Sequence, residues 1–190
     1  MARVFVDTNV LFPFSLMDLM PSLAEDYVHD VVWSDRLLDE WQRVIVREGH
    51  RSPEAAALIA DHIRAGFADS RIPEDAYKHL LTGLDGPDHD DLHHIAAAIA
   101  GNAETLITWN LPDFPTEALG PHGITVTPPD PYLCSLLEQV PDEVLTTIGR
   151  MAARKRRPPM SPLDIVNALD RARVPAFAHR ARQMLTGTTA

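Results

Sequence analysis

Five acidic residues stand where a folded chain could gather their side chains into one site: Asp7, Glu40, Asp90, Asp91 and Asp113. Asp7 and Asp113 each follow a short apolar run, whereas Asp90 and Asp91 open an alanine-rich stretch. Converging carboxylates repel one another unless a divalent cation joins them, and hard cations such as Mg²⁺ take oxygen ligands. These residues therefore predict a metal-dependent site that cuts phosphodiester bonds.

Apolar runs alternate with helix-like segments through the first two thirds of the chain. The predicted strands are 3–6, 31–33, 104–108 and 124–126. The predicted helices are 10–19, 21–29, 35–48, 53–67 and a helix from Asp90 or Asp91 to Gly101, with a mixed region at 68–84. Strands that alternate with helices indicate an α/β fold, a mostly parallel central sheet flanked by helices.

Such a sheet brings some of the acidic residues together. Ligands of open α/β sheets bind outside the carboxyl ends of the strands. If the first and third predicted strands are neighbours, Asp7 and Asp113 share one cleft. Asp91, at a helix start, can face the same cleft, whereas Glu40 needs a helix that crosses nearby.

The C-terminal part differs in pattern and charge. Residues 131–187 show helical apolar spacing without strands, so we predict a catalytic domain at 1–129 and an all-α extension at 130–190. The net charge of −10 argues against a nucleic-acid partner. Residues 150–190 nevertheless hold nine basic and two acidic residues. This basic arm could meet RNA phosphates or an acidic partner, and a solvated helix face is the simpler alternative.

Cysteine content and hydropathy indicate the cellular compartment of the protein. Cys134 is the sole cysteine, which excludes an internal disulfide framework and a cysteine-based zinc cage. No run of about 18 apolar residues is present, and the N-terminus lacks the layout of a signal peptide. We therefore expect a cytoplasmic protein.

Histidines beside the acidic pair allow a second interpretation. His89 and His93 have the i, i+4 spacing of zinc-binding helices, and the His-Asp dipeptide that begins there resembles that of HD-type phosphohydrolases. That alternative needs further histidine ligands, for which His50 and His62 are available. We expect instead that His93 packs beside the site and that the others, His94 included, are exposed.

Four segments, in order within residues 3–128, resemble the PIN domain family. They are Val-Asp-Thr-Asn-Val at 6–10, Leu-Leu-Asp-Glu-Trp-Gln-Arg at 37–43, Pro-Asp-His-Asp-Asp-Leu-His-His-Ile-Ala-Ala-Ala at 87–98 and Leu-Ile-Thr-Trp-Asn-Leu-Pro-Asp-Phe at 106–114. Within that family the chain is similar to VapC-type toxins of bacterial toxin–antitoxin pairs, and to PIN proteins with a helical C-terminal tail. The resemblance implies an endoribonuclease that uses Mg²⁺ or Mn²⁺, forms homodimers and is held by an antitoxin.

Carried over by position, the resemblance implies a catalytic and metal-binding cluster of Asp7, Glu40, Asp91 and Asp113, with Asp90 as an alternative ligand. It also implies that Asn9 orients Asp7 or supports the site through its amide. Asn110 would bond the phosphate or a metal-bound water, and Thr8 and Thr108 would support the site.

The implied chemistry is in-line hydrolysis of RNA that leaves a 5′-phosphate and a 3′-hydroxyl. Without metal, like-charge repulsion should raise the pKa values of the crowded carboxylates, and protons should compete with the cation at low pH. The alternatives are a PIN nuclease of RNA processing, an HD-type phosphohydrolase, and a catalytically silent PIN scaffold that binds RNA or protein.

Overall fold

The structure, a computed structural model, describes residues 1–84 and 91–187. Its strands are β1 (Arg3–Val6), β2 (Asp30–Ser34), β3 (Arg71–Ile72), β4 (Thr105–Ile107) and β5 (Thr125–Thr127). Its α-helices are α1 (Phe14–Glu25), α2 (Asp35–Arg47), α3 (Pro53–Gly66), α4 (Glu74–Tyr77), α5 (Leu92–Ala100), α6 (Thr116–Leu119), α7 (Pro129–Gln139), α8 (Pro141–Arg154), α9 (Pro162–Arg171) and α10 (Pro175–Thr186). Short 3₁₀ turns include Thr8–Leu11 and Leu111–Asp113.

The five strands form one parallel sheet in the order β3-β2-β1-β4-β5. The predicted α/β fold is therefore confirmed, and the first and third predicted strands are neighbours. Val6 of β1 is in register with Ile107 of β4. From β1 the chain adds β2 and β3 on one side of the sheet and then β4 and β5 on the other side. The direction in which strands are added therefore reverses between β1 and β4. Such a reversal is where open α/β sheets bind their ligands.

Two compact units divide the chain, and we name them the sheet unit and the helical unit. The sheet unit comprises Ala2–Phe12 and Asp30–Thr127, and the helical unit comprises Met1, Pro13–His29 and Pro128–Ala190. All five strands belong to the sheet unit, whereas α1 belongs with α7, α8, α9 and α10. The domain division at residues 129 and 130 stays a prediction.

The core of the sheet unit follows from its apolar runs. Val4, Phe5, Leu106 and Ile107 are fully buried, as expected for central parallel strands covered on both faces. The predicted start of α2 is confirmed, because the Ser34 hydroxyl accepts the Leu37 backbone N–H and caps the helix. The apolar stripe of α2 is buried, as its spacing predicts: Leu37, Leu38, Trp41 and Ile45.

The helical unit is held by apolar packing and by polar contacts between α1 and α8. Arg150 of α8 lies 3.2 Å from Glu25 and 2.7 Å from Asp26, and the Thr147 hydroxyl donates to Asp26 at 2.6 Å. The fully buried His29 adds a contact to α7, since its Nδ1 lies 2.8 Å from the hydroxyl of Tyr132. These contacts explain why α1 belongs with the C-terminal helices.

Two predictions about the elements are wrong. The helical stretches 10–19 and 21–29 are instead a 3₁₀ turn followed by one continuous helix, α1, with Pro21 inside it. A proline removes one helical hydrogen bond, and the buried face formed by Leu16, Leu19, Met20 and Leu23 holds the helix together. Strand β3 was not predicted, because a strand of two residues is too short to show an alternation of apolar and polar residues.

No helix within residues 1–84 and 91–187 is both long enough and apolar enough to cross a membrane.

Candidate active site

Asp7 lies at the carboxyl end of β1, beside the end of β4. Its backbone N–H donates to the Ile107 carbonyl at 2.9 Å, which holds the residue after β1 against the last residue of β4. The residue is 3% exposed. A buried carboxylate is stable only if polar or charged partners replace its water. The residues that follow β4, and α5, supply those partners.

The Thr108 hydroxyl fixes the orientation of Asp7. It donates to Asp7 Oδ2 at 2.7 Å and accepts N–H groups from Asn9 Nδ2 at 3.2 Å and from the Asn110 backbone at 2.9 Å. A hydroxyl has one donor and two acceptor positions, so all three are used. Asn9 Oδ1 accepts the Trp109 backbone N–H at 3.1 Å. Asn9 therefore reaches Asp7 through Thr108.

His94 of α5 is fully buried, so the expectation that it is exposed is wrong. Its Nδ1 lies 3.3 Å from Asp7 Oδ1 and its Nε2 lies 3.3 Å from Glu40 Oε2. The imidazole therefore bridges two predicted site residues, and it brings α2 to the site. His93 is half-buried and packs edge-on against the ring of Tyr77, with ring centroids 6.3 Å apart.

The charges around His94 change its proton affinity and that of Glu40. Burial alone would lower the pKa of His94, but its contacts with Asp7 and Glu40 and their negative charges raise it to about 9. Burial alone would raise the pKa of Glu40, but His94, with smaller contributions from Thr8 and Arg43, lowers it. The expectation that like-charge repulsion raises the carboxylate pKa values is therefore wrong for Glu40, because a cationic imidazole sits between the acids.

Asp91 stands at the N-cap of α5, and its carboxylate makes no capping hydrogen bond. Its Oδ1 lies 3.9 Å from His94 Nδ1. Asp7, Asp91 and His94 each offer a ligand atom, and these atoms all lie within 4.8 Å of one another. The alternative ligand, Asp90, lies outside the described residues.

This group of three fits a divalent cation by its donor chemistry. Carboxylate oxygens suit Mg²⁺ and Mn²⁺, and an imidazole suits several transition metals. Both ring nitrogens of His94 are buried and make no hydrogen bond of good geometry within the described residues. They are therefore available either to a cation or, when protonated, to the neighbouring carboxylates.

Asp113 and Asn110 lie in the turn after β4, outside that group of three. The Asn110 side chain donates to Asp113 Oδ2, and the Asn110 backbone donates to Thr108. Asp113 is half-buried and is thus connected to Asp7 through a chain of hydrogen bonds over Asn110 and Thr108. Among the described residues, Glu40 joins the site through its contact with His94.

His94 is the site residue that our sequence interpretation missed. It follows Asp91 by three positions, and side chains three apart share one face of a helix. The same face of α5 is otherwise apolar, with Ile95 and Ala98 fully buried. A histidine that shares a face with both a predicted ligand and a core stripe is the pattern that could have indicated it.

Comparisons with known proteins agree with this architecture. The PIN domain family matches residues 3–111, and the VapC50 C-terminal domain matches residues 129–183. The chain is 32% identical over 108 residues to a Mycobacterium tuberculosis protein described as "Putative ribonuclease VapC50". That alignment covers 57% of this chain and 63% of the relative. No solved structure matches the chain. The family match spans more than half of the residues and includes β1, α2, α5 and β4, and the chain therefore belongs to the PIN domain family.

Proposed function

We propose that the protein is a metal-dependent endoribonuclease whose site is the cluster at the carboxyl ends of β1 and β4. The observation that carries the proposal is the convergence of Asp7, Asp91 and His94, with ligand atoms within 4.8 Å of one another, in a PIN domain. A ribonuclease described among its relatives supports RNA as the substrate. The HD-type alternative has no comparable support, since His50 and His62 are both exposed.

Asp7 and Asp91 are the proposed ligands of Mg²⁺ or Mn²⁺, and Glu40, Asp113 and Asp90 are the proposed residues that complete the site. When bound, the cation polarises the scissile phosphate and lowers the pKa of a bound water. The chain's own contribution is orientation and charge.

Orientation comes from the hydrogen bonds behind the cluster. Thr108 holds the Asp7 carboxylate in one direction, and Asn9 and the Asn110 backbone hold Thr108. The Asn110 amide is exposed beside Asp113 and is proposed to donate to a phosphate oxygen of the substrate. His94 keeps Asp7 and Glu40 together by a contact of 3.3 Å to each.

We further propose that the protein is the toxin of a type II toxin–antitoxin pair, acting in the cytoplasm as a homodimer that a cognate antitoxin binds. The similarity to the VapC50 ribonuclease and the match of residues 129–183 to the VapC50 C-terminal domain support this role. They also support the proposed division into a catalytic domain at 1–129 and a helical extension at 130–190.

A cleavage assay tests the enzymatic proposal. Labelled single-stranded and structured RNAs are incubated with the wild type in Mg²⁺, in Mn²⁺ and in EDTA, and with Asp7→Ala and the exposed-acid control Asp69→Ala. We expect metal-dependent cutting that falls by about a hundredfold or more in Asp7→Ala and stays unchanged in Asp69→Ala. Cutting that persists in Asp7→Ala would overturn the site, and binding without any cutting would favour the silent scaffold.

Expression in bacteria tests the toxin role. Induced wild-type protein should arrest growth, and Asp7→Ala should relieve that arrest at equal protein level. Active enzyme without growth arrest would instead favour a PIN nuclease of RNA processing.

A further inference from the structure

A pocket of about 600 Å³ opens in the sheet unit next to α2. Its lining is almost entirely charged and comprises Asp35, Arg36, Asp39, Arg43, Arg71, Glu74 and Tyr77. Its volume lies within the range of small-molecule sites and is large enough for a single nucleotide. The residues of the metal-binding group do not line it, so it is a separate feature of the surface.

Helix α2 connects the pocket to the candidate active site. Arg36 precedes Glu40 by four positions and Arg43 follows it by three, and side chains at these spacings lie on one helix face, about 5–6 Å apart between Cβ atoms. Glu40 contacts His94 at 3.3 Å on the site side. The pocket arginines therefore flank a residue of the site by one helical turn in each direction.

Arg43 lines the pocket with a guanidinium that can meet an external anion. Ion pairs with carboxylates already engage Arg3, Arg47, Arg64 and Arg71 of the sheet unit. The Arg43 Nε donates to the Asp39 backbone carbonyl at 3.4 Å, and the residue is exposed. Its two terminal nitrogens make no hydrogen bond or ion pair within the described residues.

The acidic lining of the pocket is largely compensated. Arg71 Nη2 lies 2.5 Å from Asp35 Oδ2, and Arg64 Nη2 lies 2.9 Å from Asp39 Oδ1, so both carboxylates are ion-paired. A polyanion approaching this wall therefore meets these two ion pairs, the carboxylate of Glu74, and the guanidinium groups of Arg36 and Arg43. An exposed guanidinium whose two terminal nitrogens are not engaged by the described residues matches the geometry of a phosphate.

We propose that this pocket holds the nucleotide adjacent to the scissile bond of a single-stranded RNA, with Arg43 bonding its phosphate. The inference rests on the proposed ribonuclease function, and it adds a substrate-binding residue that the metal cluster does not contain. It also explains how an acidic unit can hold RNA, because Arg43 lies on α2 one helical turn from Glu40, which contacts His94 of the cluster.

Steady-state cleavage of a labelled single-stranded RNA in Mg²⁺, at several salt concentrations, tests the assignment. In Arg43→Gln we expect KM to rise about fivefold to tenfold with little change in kcat. The slope of log(kcat/KM) against log[salt] should become shallower by about 0.7, the loss of one phosphate contact to a single strand. Arg43→Lys should restore the salt slope, because it keeps the charge.

Arg47→Gln is the matched control, since Arg47 lies one turn further along α2 and pairs with Glu48 at 3.1 Å. It should leave KM and the salt slope unchanged. Equal KM values and slopes for wild type and Arg43→Gln would overturn the pocket assignment, while the loss of cleavage in Asp7→Ala would still uphold the ribonuclease. A wild type that cuts no RNA would overturn both proposals.

Discussion

The hydroxyl of Thr108 serves three polar partners in the interior, so its removal should be costly. In Thr108→Val, Asp7 Oδ2, Asn9 Nδ2 and the Asn110 N–H lose their shared partner. We expect the free energy of unfolding to fall by about 1–3 kcal/mol and RNA cleavage to fall by roughly tenfold or more. Thr108→Ser keeps the hydroxyl and should restore both. Urea denaturation and the cleavage assay measure the effect, and a fully stable Thr108→Val would contradict this account.

The raised pKa of His94 makes the stability of the metal-free protein depend on pH. The folded value is about 9 and the ordinary value is 6.5, so the folded chain binds the proton more tightly. The contribution of protonated His94 to the free energy of unfolding is therefore complete below pH 6.5, and it is lost as the pH rises through 9. It amounts to about 3 kcal/mol at about 1.4 kcal/mol per pKa unit.

Urea denaturation in EDTA from pH 6 to pH 10 checks this prediction. The free energy of unfolding should decline between pH 6.5 and pH 9 in the wild type and in His122→Gln, which changes an exposed histidine. In His94→Gln that decline should be absent. A wild-type stability that rises over this interval would show that the imidazole is neutral between its two carboxylates.

The position of a single site residue was predictable where one local sequence pattern determined it. Asp7 could be placed because it ends an apolar run, and the confirmed pairing of β1 with β4 puts it beside Thr108. His94 was not predicted: its position on one helix face with Asp91 was visible in the sequence, but its contacts with Asp7 and Glu40 join distant parts of the chain. The catalytic roles of Asp7, Glu40, Asp91 and Asp113 stay predictions until variants are assayed.

At the scale of elements, α5 carries Asp91 and His94 and ends in close contact with β3. A Cβ added at Gly101, the residue after α5, would lie 3.0 Å from the Ala97 carbonyl oxygen and 3.1 Å from the Ile72 side chain. We therefore expect Gly101→Ala to lower the free energy of unfolding by about 1–3 kcal/mol. Thermal or urea denaturation gives the value.

Gly66 is the matched glycine, because a Cβ at the end of α3 meets nothing within 4 Å. Gly66→Ala should stabilise the protein by roughly 0.4–1 kcal/mol, since alanine restricts the unfolded chain. If Gly101→Ala stabilised the protein equally, the close approach of α5 to β3 would not constrain the site.

Helices with local start signals were predicted well. Ser34, Ser52 and Ser161 each accept a backbone N–H at the start of a helix, and a serine before an apolar stripe is visible in sequence. The grouping of α1 with the C-terminal helices was not predictable, because it depends on partners such as Asp26 and Thr147 that lie far apart in sequence.

At the scale of the whole molecule, charge is distributed differently from what residues 150–190 suggest. The helical unit holds nine acidic and nine basic residues, because residues outside 150–190 add seven acids: Asp18, Glu25, Asp26, Asp130, Glu138, Asp142 and Glu143. Ion pairs within that unit engage Arg150, Arg154, Lys155, Arg180 and Arg182. The positive charge of residues 150–190 is therefore largely compensated by carboxylates of the same unit.

Paired arginines of the helical unit should contribute little to RNA binding. In the double variant Arg180→Gln with Arg182→Gln, we expect the salt slope of RNA cleavage to match that of the wild type, in contrast to Arg43→Gln. The loss of such exposed ion pairs costs about 0–1 kcal/mol of stability. A slope that becomes shallower by about 0.7 for each arginine removed would instead make this face an RNA contact.

The hydrogen bond between Asp7 and Thr108 joins residues 101 positions apart. A ribosome that adds about 5–20 residues per second completes Asp7 roughly 5–20 s before Thr108, and β1 cannot pair with β4 until both have emerged. The growing chain therefore has no assembled site until Thr108 has emerged. Under the proposed ribonuclease function, nascent chains that end before Thr108 cannot cut RNA through this site.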